Sequence, residues 1–409
     1  MNSIKYAIFL LYFMVPLTGF SQYYKTLPKG VGMFSFNNYR SEISSSYNKS
    51  QSETPYAVKI EATVENLSLI DNSVVQEALD LFKPYPEAYE KLSLGTHYID
   101  GEAEVNVDVY AMAYGISDKV TAYIGIPLYD AKVKVHYERT DSSSNKEVAE
   151  ALQKQYGDDW AQTLGNIVDK MFDVDGSIIQ SALVNSLGYD ELGTWSAKGP
   201  GDVELGIMYN FIKDKKYGLK TTIGAVAPTG YVDDPDLIQD IGFGDGQWDA
   251  FLEFGGGYRI SSILSFNAWG RYTHQFANEK TLRVPYSKDI PLSNEKKKFR
   301  EKLGNKILIN VNAVIEFTDW FKITPGYSIE HIEKAEYFSN NQQANDSLAK
   351  DTESYSQSYQ ISAQLTSVSS YLKQEFLIPA ELGYTYKSMV EGKNTAKVEL
   401  HGMELRLFF

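Results

Sequence analysis

Cysteine is absent from this 409-residue chain, histidine occurs only 5 times, and no apolar run is long enough for a membrane-spanning helix. Each gap excludes something. Without thiols there is neither a disulfide framework nor a lipid-bearing cysteine behind a leader, so a lipoprotein is excluded. The histidines are scattered with no i, i+4 pair, so no zinc helix can be built from them. No Gly-x-Ser-x-Gly elbow and no His-Glu-x-x-His motif occurs; no catalytic constellation is visible, and neither an enzyme, a cofactor nor a metal is expected. Positive charge is also scarce, 39 Lys and Arg against 53 Asp and Glu, for a net charge of −14. Such a chain repels phosphate backbones and is no nucleic-acid binder.

The extended apolar run that does occur, Tyr6 to Leu17, follows Lys5 and precedes the small residues Gly19 and Ser21. It falls short of the roughly 20 residues a spanning helix needs. It reads as a signal peptide over residues 1–21, cut ahead of Gln22, so the chain is exported.

What the sequence has in quantity is aromatic side chains, 30 Tyr and 20 Phe, and alternation. A transmembrane barrel strand must be apolar at every second position and can be polar between. Ala103, Val105, Val107, Val109, Ala111 and Ala113 interleave with Glu102, Glu104, Asn106, Asp108, Tyr110 and Met112. Val120, Ala122, Ile124, Ile126 and Leu128 share one parity after a tight turn, and Val203, Leu205, Ile207, Tyr209 and Phe211 share another. The pattern recurs at 248–258, 264–272, 307–317, 321–329 and 378–386. Short links at 214–217, 260–262 and 318–320 separate long polar loops at 231–246, 277–305 and 337–353, the asymmetry of periplasmic turns and external loops. An all-β fold follows: a transmembrane antiparallel β-barrel over residues 22–409. About 12 strands are expected, with one opening at Gly30 to Ile43; 14 results if 56–64 and part of 65–100 add two. The last strand ends Leu405, Leu407, Phe409, and its apolar parity changes across Gly402, which reads as a glycine bulge.

Two stretches do not alternate. Residues at about 72–92 and 145–188 carry helical spacing, in the second case at Trp160, Leu164, Ile167, Val168 and Met171 and then Ile179, Leu183 and Leu187. Both insertions fall on the external side, packed on each other as a cap or presented to a second outer-membrane protein. Smaller motifs are structural on inspection. Gly242, Gly244 and Gly246 lack the helix a phosphate loop needs. Asp173, Asp175 and Gly176 lack the first and twelfth ligands of a calcium loop. Asp233, Asp234, Asp236 and Asp240 form either a solvated acidic loop or a weak site for a divalent cation bridging lipopolysaccharide.

The polar parity proposes a lumen wall: Glu102, Glu104, Asp108, Asp202, Glu204, Asp249, Glu253, Glu316, Glu330 and Glu381 against Arg259, Arg271, Lys322 and Lys387. These charges either line a wet pore or pair with one another and with the amino-terminal segment to plug it.

Two motifs carry a resemblance. Gly199-Pro200-Gly201-Asp202-Val203-Glu204-Leu205-Gly206, and Ala227-Pro228-Thr229-Gly230 followed by Gly242 to Asp249, resemble the strand and loop signatures of the phenol-degradation meta-pathway outer-membrane family, relatives of the FadL/TodX channels. The resemblance implies an outer-membrane channel or transporter for small hydrophobic solutes. Separately, the last strand with its terminal Phe409 resembles the insertion signal by which outer-membrane proteins engage the barrel-assembly machinery, and a place in that membrane makes its lipid and lipopolysaccharide the expected partners. The segment Gln22 to Lys29 lacks the family's opening and its small-residue hatch. The rival expectation is a non-transporting barrel that scaffolds an outer-membrane complex.

Overall fold

The structure, a computed structural model, describes residues 23–55, 57–68, 73–139, 144–160, 164–165, 168, 180–286 and 292–409. Residues 1–21, Gln22, Asn72, Ile167, Met171, Asp173, Asp175, Gly176 and Ile179 lie outside them.

Twelve strands close into a ring: β1 (Gly32–Ile43), β2 (Ser93–Ser117), β3 (Val120–Arg139), β4 (Val203–Lys213), β5 (Tyr217–Ala227), β6 (Asp249–Arg259), β7 (Leu264–Gln275), β8 (Lys306–Glu316), β9 (Phe321–Ile332), β10 (Ser354–Thr366), β11 (Ala380–Lys393) and β12 (Glu399–Phe408). All neighbours are antiparallel, and β1 closes the ring by pairing with both β2 and β12. Closure leaves no open sheet edge, which is what lets a sheet stand in hydrocarbon. Neither segment that would raise the count to 14 adds a strand to the ring: among its described residues 65–100 forms helices and the start of β2, and 57–63 stays outside the ring, as does a further short strand at 195–200. Ala57–Thr63 pairs with the upper part of β2, and Trp195–Pro200 with the upper part of β3, where that hairpin overtops its neighbours.

Alternation sets the two faces. Ile124, Ile126, Leu205, Ile207, Leu252, Phe254, Ile309, Val311 and Ile361 are all exposed on the outside of the ring. Water could not tolerate this belt, but acyl chains can. On β2 the expected face is reversed. Ala103, Val105, Val107, Val109, Ala111 and Ala113 are buried inside, Val107 and Val109 at 0% exposure, while Tyr110, Met112, Tyr114 and Ile116 face out. Leaving lipid for protein yields no hydrophobic gain, so the alternative decides. Leu27, Tyr123 and Phe243 fill this side of the lumen, and carboxylates trapped against them would lie unpaired. β12 is a second departure. Its register with β1 and β11 runs unbroken through Gly402. There is no bulge; Leu400 points inward, and Gly402 leaves room for the Tyr39 ring, 2.8 Å from where a Cβ would stand.

The long connections lie at one rim. Helices α1 (Ser73–Phe82), α2 (Pro86–Lys91) and α3 (Asn145–Tyr156) pack together there: Leu79, Phe82, Ala88, Leu92, Val148, Leu152, Leu164 and Val168 share one core. The stretch expected as a plain loop at 277–305 holds two strands, Asn278–Arg283 and Lys296–Lys302, joined by Glu336–Phe338 in a small sheet. Its lysine-rich strand has no apolar alternation to betray it. At the opposite rim most turns are tight, but 367–379 is a longer connection. It exposes Leu372 and Leu377, the latter at 92%, and Asp319 of the neighbouring turn holds it through Lys373 at 2.8 Å and Ser369 at 3.2 Å.

Candidate functional site

The lumen is built by the inward parity of each strand and is divided lengthwise. On the β1–β6 side it is filled. Tyr23 to Lys29 enters from the rim of tight turns: the Thr26 hydroxyl donates to the Asp118 carbonyl at 2.9 Å, and the Leu27 and Lys29 amides donate to Thr121 Oγ1 and Asp118 Oδ1 at 2.9 and 3.0 Å. Deeper in, Asn210 Nδ2 donates to the Tyr24 carbonyl at 2.5 Å, and the Tyr24 ring occupies space that only a glycine at 218 leaves open. Tyr23 stacks on Trp269 with centroids 5.8 Å apart, lies under Lys220 Nζ at 3.9 Å, and donates its hydroxyl proton to Glu253.

The charges expected on the wall resolve into separate groups. Arg271 binds Glu204 through both terminal nitrogens at 3.0 and 3.2 Å, reaches Glu253 through Nε at 3.2 Å, and rests over the Phe251 ring at 3.9 Å. Tyr123 completes the group by donating to Glu204 at 2.7 Å, in the space beside Gly206. Towards the tight-turn rim, Arg259 pairs with Glu316 at 2.5 Å. Arg406 pairs with Glu404 at 2.5 Å and with Glu381 at 3.2 Å, and Lys322 interacts electrostatically with the same Glu381. Lys387 lies within electrostatic reach of Glu330, and Lys306 stands 4.0 Å from Asp249. Glu102, Glu104 and Asp108 do not line the lumen as expected: they sit on the outward parity of β2. Glu104 is paired with Lys134 at 2.7 Å, and Asp108 accepts from Asn38 at 2.7 Å. Alternation marks two faces without saying which is inside, and the β2–β3 hairpin rises above the apolar belt, where its outer face turns polar.

Sequence reasoning missed Tyr23, Lys220, Asn267 and Arg406. Lys220 and Arg406 carried a usable signal, a cation on the polar parity of an amphipathic strand. Tyr23 carried none, because its partners Glu253 and Asn267 lie more than 200 residues away in the chain.

The two resemblance motifs prove to be one interlock. Asp202 accepts from the Gly230 amide at 2.8 Å and the Asp245 amide at 3.3 Å, while Thr229 Oγ1 donates to the Gly201 carbonyl at 2.9 Å and accepts from the Val203 amide at 3.1 Å. A Cβ on Gly244 would stand 2.3 Å from the Asp202 carboxylate, and one on Gly230 would stand 2.6 Å from the Phe243 carbonyl. So Pro228, Thr229 and Gly230 bring the external loop down onto the rim, and Phe243 stacks on Tyr129 with centroids 4.9 Å apart, its ring 3.6 Å from where a Cβ on Gly199 would stand. Two aspartates of the acidic loop above are paired with cations: Lys280 meets Asp233 at 2.5 Å, and Arg283 and Lys296 meet Asp236 at 2.6 Å each. Burial disfavours the Asp236 carboxylate, but its lysine and arginine donors outweigh that and hold its pKa below the usual range. Among the described residues no cluster of His, Asp or Glu is placed to hold a metal.

On the β7–β12 side the lumen is open as a cavity of about 240 Å³, with Tyr23 and Trp269 at one wall. An amide chain ties that wall to the inserted segment: the Tyr23 amide donates to Asn267 at 3.0 Å, Asn267 to Asn312 at 2.9 Å, and Asn312 to Asn310 at 3.0 Å.

No family model and no curated protein matches the chain. Solved structures do. An outer-membrane channel from Pseudomonas putida F1 is 12% identical, with 94% of this chain and 98% of that one covered and a TM-score of 0.55. A toluene transporter from Ralstonia pickettii (9% identical, 94% and 90% covered, TM-score 0.36) and a monoaromatic hydrocarbon channel (8%, 94% and 89%, 0.33) align more loosely. A closed twelve-stranded ring, an apolar outer belt and this shared architecture make the chain a β-barrel of the bacterial outer membrane.

Proposed function

We propose that the protein is a passive channel for small solutes, with the cavity along β7–β12 as the path and Tyr23 to Lys29 as the plug that narrows it. The observation that carries this reading is the asymmetry of the lumen: one side is packed solid and cross-linked, the other holds a cavity whose wall is part of the plug itself. The hydrophobic solute implied by the resemblance would meet Trp269, Leu308, Val314, Met389, Val398 and Leu400, apolar members of the wall.

Conductance of the purified protein in a planar bilayer tests the channel. We expect small, resolved current steps, and steps at least about twofold larger when Tyr23→Ala and Tyr24→Ala together loosen the plug, because both rings then vacate the lumen. Correctly folded protein that passes no current above a protein-free bilayer, in both forms, sinks the reading.

A further inference from the structure

The chemistry of the cavity wall narrows the solute, on the reading that the barrel is a channel. The inward parity of β10 runs Ser354, Ser356, Ser358, Gln360, Ser362 and Gln364, without a charged or aliphatic member. Thr324 and Ser328 of β9 and Thr385 of β11 flank it, and Asn310 and Asn312 of β8 extend it. The result is a continuous wall of hydroxyls and carboxamides. Several of these groups are engaged: Ser362 and Thr385 share a hydrogen bond at 2.8 Å, and Gln364 donates to Glu381 at 2.7 Å. Among the described residues, the side chains of Ser328, Ser356, Ser358 and Gln360 make no hydrogen bond within the protein, and they border the cavity. A polar group with neither water nor partner costs free energy, so this wall is wet or occupied by something that hydrogen-bonds.

Charge does not compete for the solute. Lys322, Lys387 and Arg406 border the cavity with Glu330 and Glu404, and Glu381 stands directly behind Arg406. Three cations meet three carboxylates, so the wall has no net sign with which to draw an ion. Aromatic surface is present on the facing side as the stacked pair Tyr23 and Trp269, which offers a flat apolar contact to the C–H face of a small molecule.

We infer that the solute is a small uncharged molecule bearing several hydroxyl or amide groups, drawn along the β9–β11 wall by serial hydrogen bonds, in preference to a hydrocarbon or an ion of equal size. Each hydroxyl can donate and accept, so a polyol can exchange one serine for the next without ever losing all its partners. A hydrocarbon would have to dry the same wall.

The test uses the full chain in liposomes, folded as judged by heat-modifiable migration. Swelling is followed in an isotonic four- or five-carbon polyol and in the sodium salt of the corresponding sugar acid, with potassium chloride conductance measured on the same protein. We expect faster swelling in the polyol. The combined substitution Ser356→Ala, Ser358→Ala and Gln360→Leu should lower the ratio of polyol permeation to potassium chloride conductance about fivefold or more, the worth of one or two neutral hydrogen bonds. Ion conductance with no polyol preference, an unchanged ratio in the variant, or block of the current by toluene at a lower concentration than by the polyol overturns the solute class and leaves the channel standing. Absence of both current and flux removes the channel, and the inference with it.

Discussion

Arg271 is the residue on which the packed half of the lumen turns. Its side chain is 5% exposed and holds two carboxylates, with an aromatic face beneath. Removing it strands Glu204 and Glu253 in a space that also contains Tyr23 and Tyr123, and breaking one side of a buried charge group costs about 3–5 kcal/mol. Arg271→Met should therefore lower the temperature at which the barrel unfolds, read as the shift between heat-modified and unmodified gel bands. Adding Glu204→Gln and Glu253→Gln should restore most of the loss, because the stranded charges are then gone. If the triple variant is as unstable as the single one, packing rather than charge explains Arg271. Gly244 poses a steric counterpart. Alanine there drives a methyl into the Asp202 carboxylate, so Gly244→Ala should free the 229–247 loop and speed its cleavage by added protease severalfold, by undoing bonds worth about 1–2 kcal/mol each. Equal cleavage rates would mean that the loop is held by Phe243 alone.

At the level of elements, the small external sheet carries a pH dependence of its own. Glu301 is buried, accepts from the Tyr337 hydroxyl at 2.8 Å and stands near Lys280, which is itself paired with Asp233. Burial pushes its pKa up to about 7, against the pull of Lys280 and with help from Asp233 and Asp245. The folded form thus prefers the protonated acid. Its contribution to stability is whole below about pH 4.5, the unfolded value, and is lost as pH rises through about 7. Glu301→Gln should leave the sheet unchanged at pH 5 and stabilise it at pH 8 by on the order of 1–3 kcal/mol, measured as protection of the 278–302 segment from protease. Protection at pH 5 and pH 8 alike would show that the carboxyl ionises freely. The helices of the same rim follow a different logic. The apolar stripes of α1, α2 and α3 cover one another, the first of the two arrangements their spacing allowed, because each stripe needs a partner surface and the other insertion offers one.

For the whole molecule, the membrane position is the testable quantity. Trp248 and Trp320 lie on the outer face at opposite ends of the belt, both about half exposed, whereas Trp269 is inside the lumen. Aromatic girdles of this kind sit at the two interfaces of the bilayer. In liposomes containing brominated lipid, fluorescence from Trp248 and Trp320 should be quenched and that from Trp269 should not, each measured after replacing the other tryptophans by Phe. Quenching of Trp269 as strong as that of Trp320 would place the interior against lipid and refute the barrel as drawn.

The sequence by itself determined the barrel strands and the membrane they stand in, while leaving 12 or 14 as their number, because period-two alternation is a local property: each strand carries its own evidence of two unlike faces, as β4, β6, β7 and β8 do. It also determined that Asp202 to Gly206 and Pro228 to Gly230 are special, since those glycines are visible wherever they fall. Only the tertiary structure decided which face of β2 is inside, that Leu400 faces the lumen without a bulge, and that Glu204, Glu253 and Arg271 share one site with Tyr23. The physical reason is that a lumen has no pattern of its own. What fills it comes from chain segments hundreds of residues apart, and an apolar side chain fares as well against lipid as against Leu27 and Phe243, so its inside and outside are told apart only by what else occupies the bore.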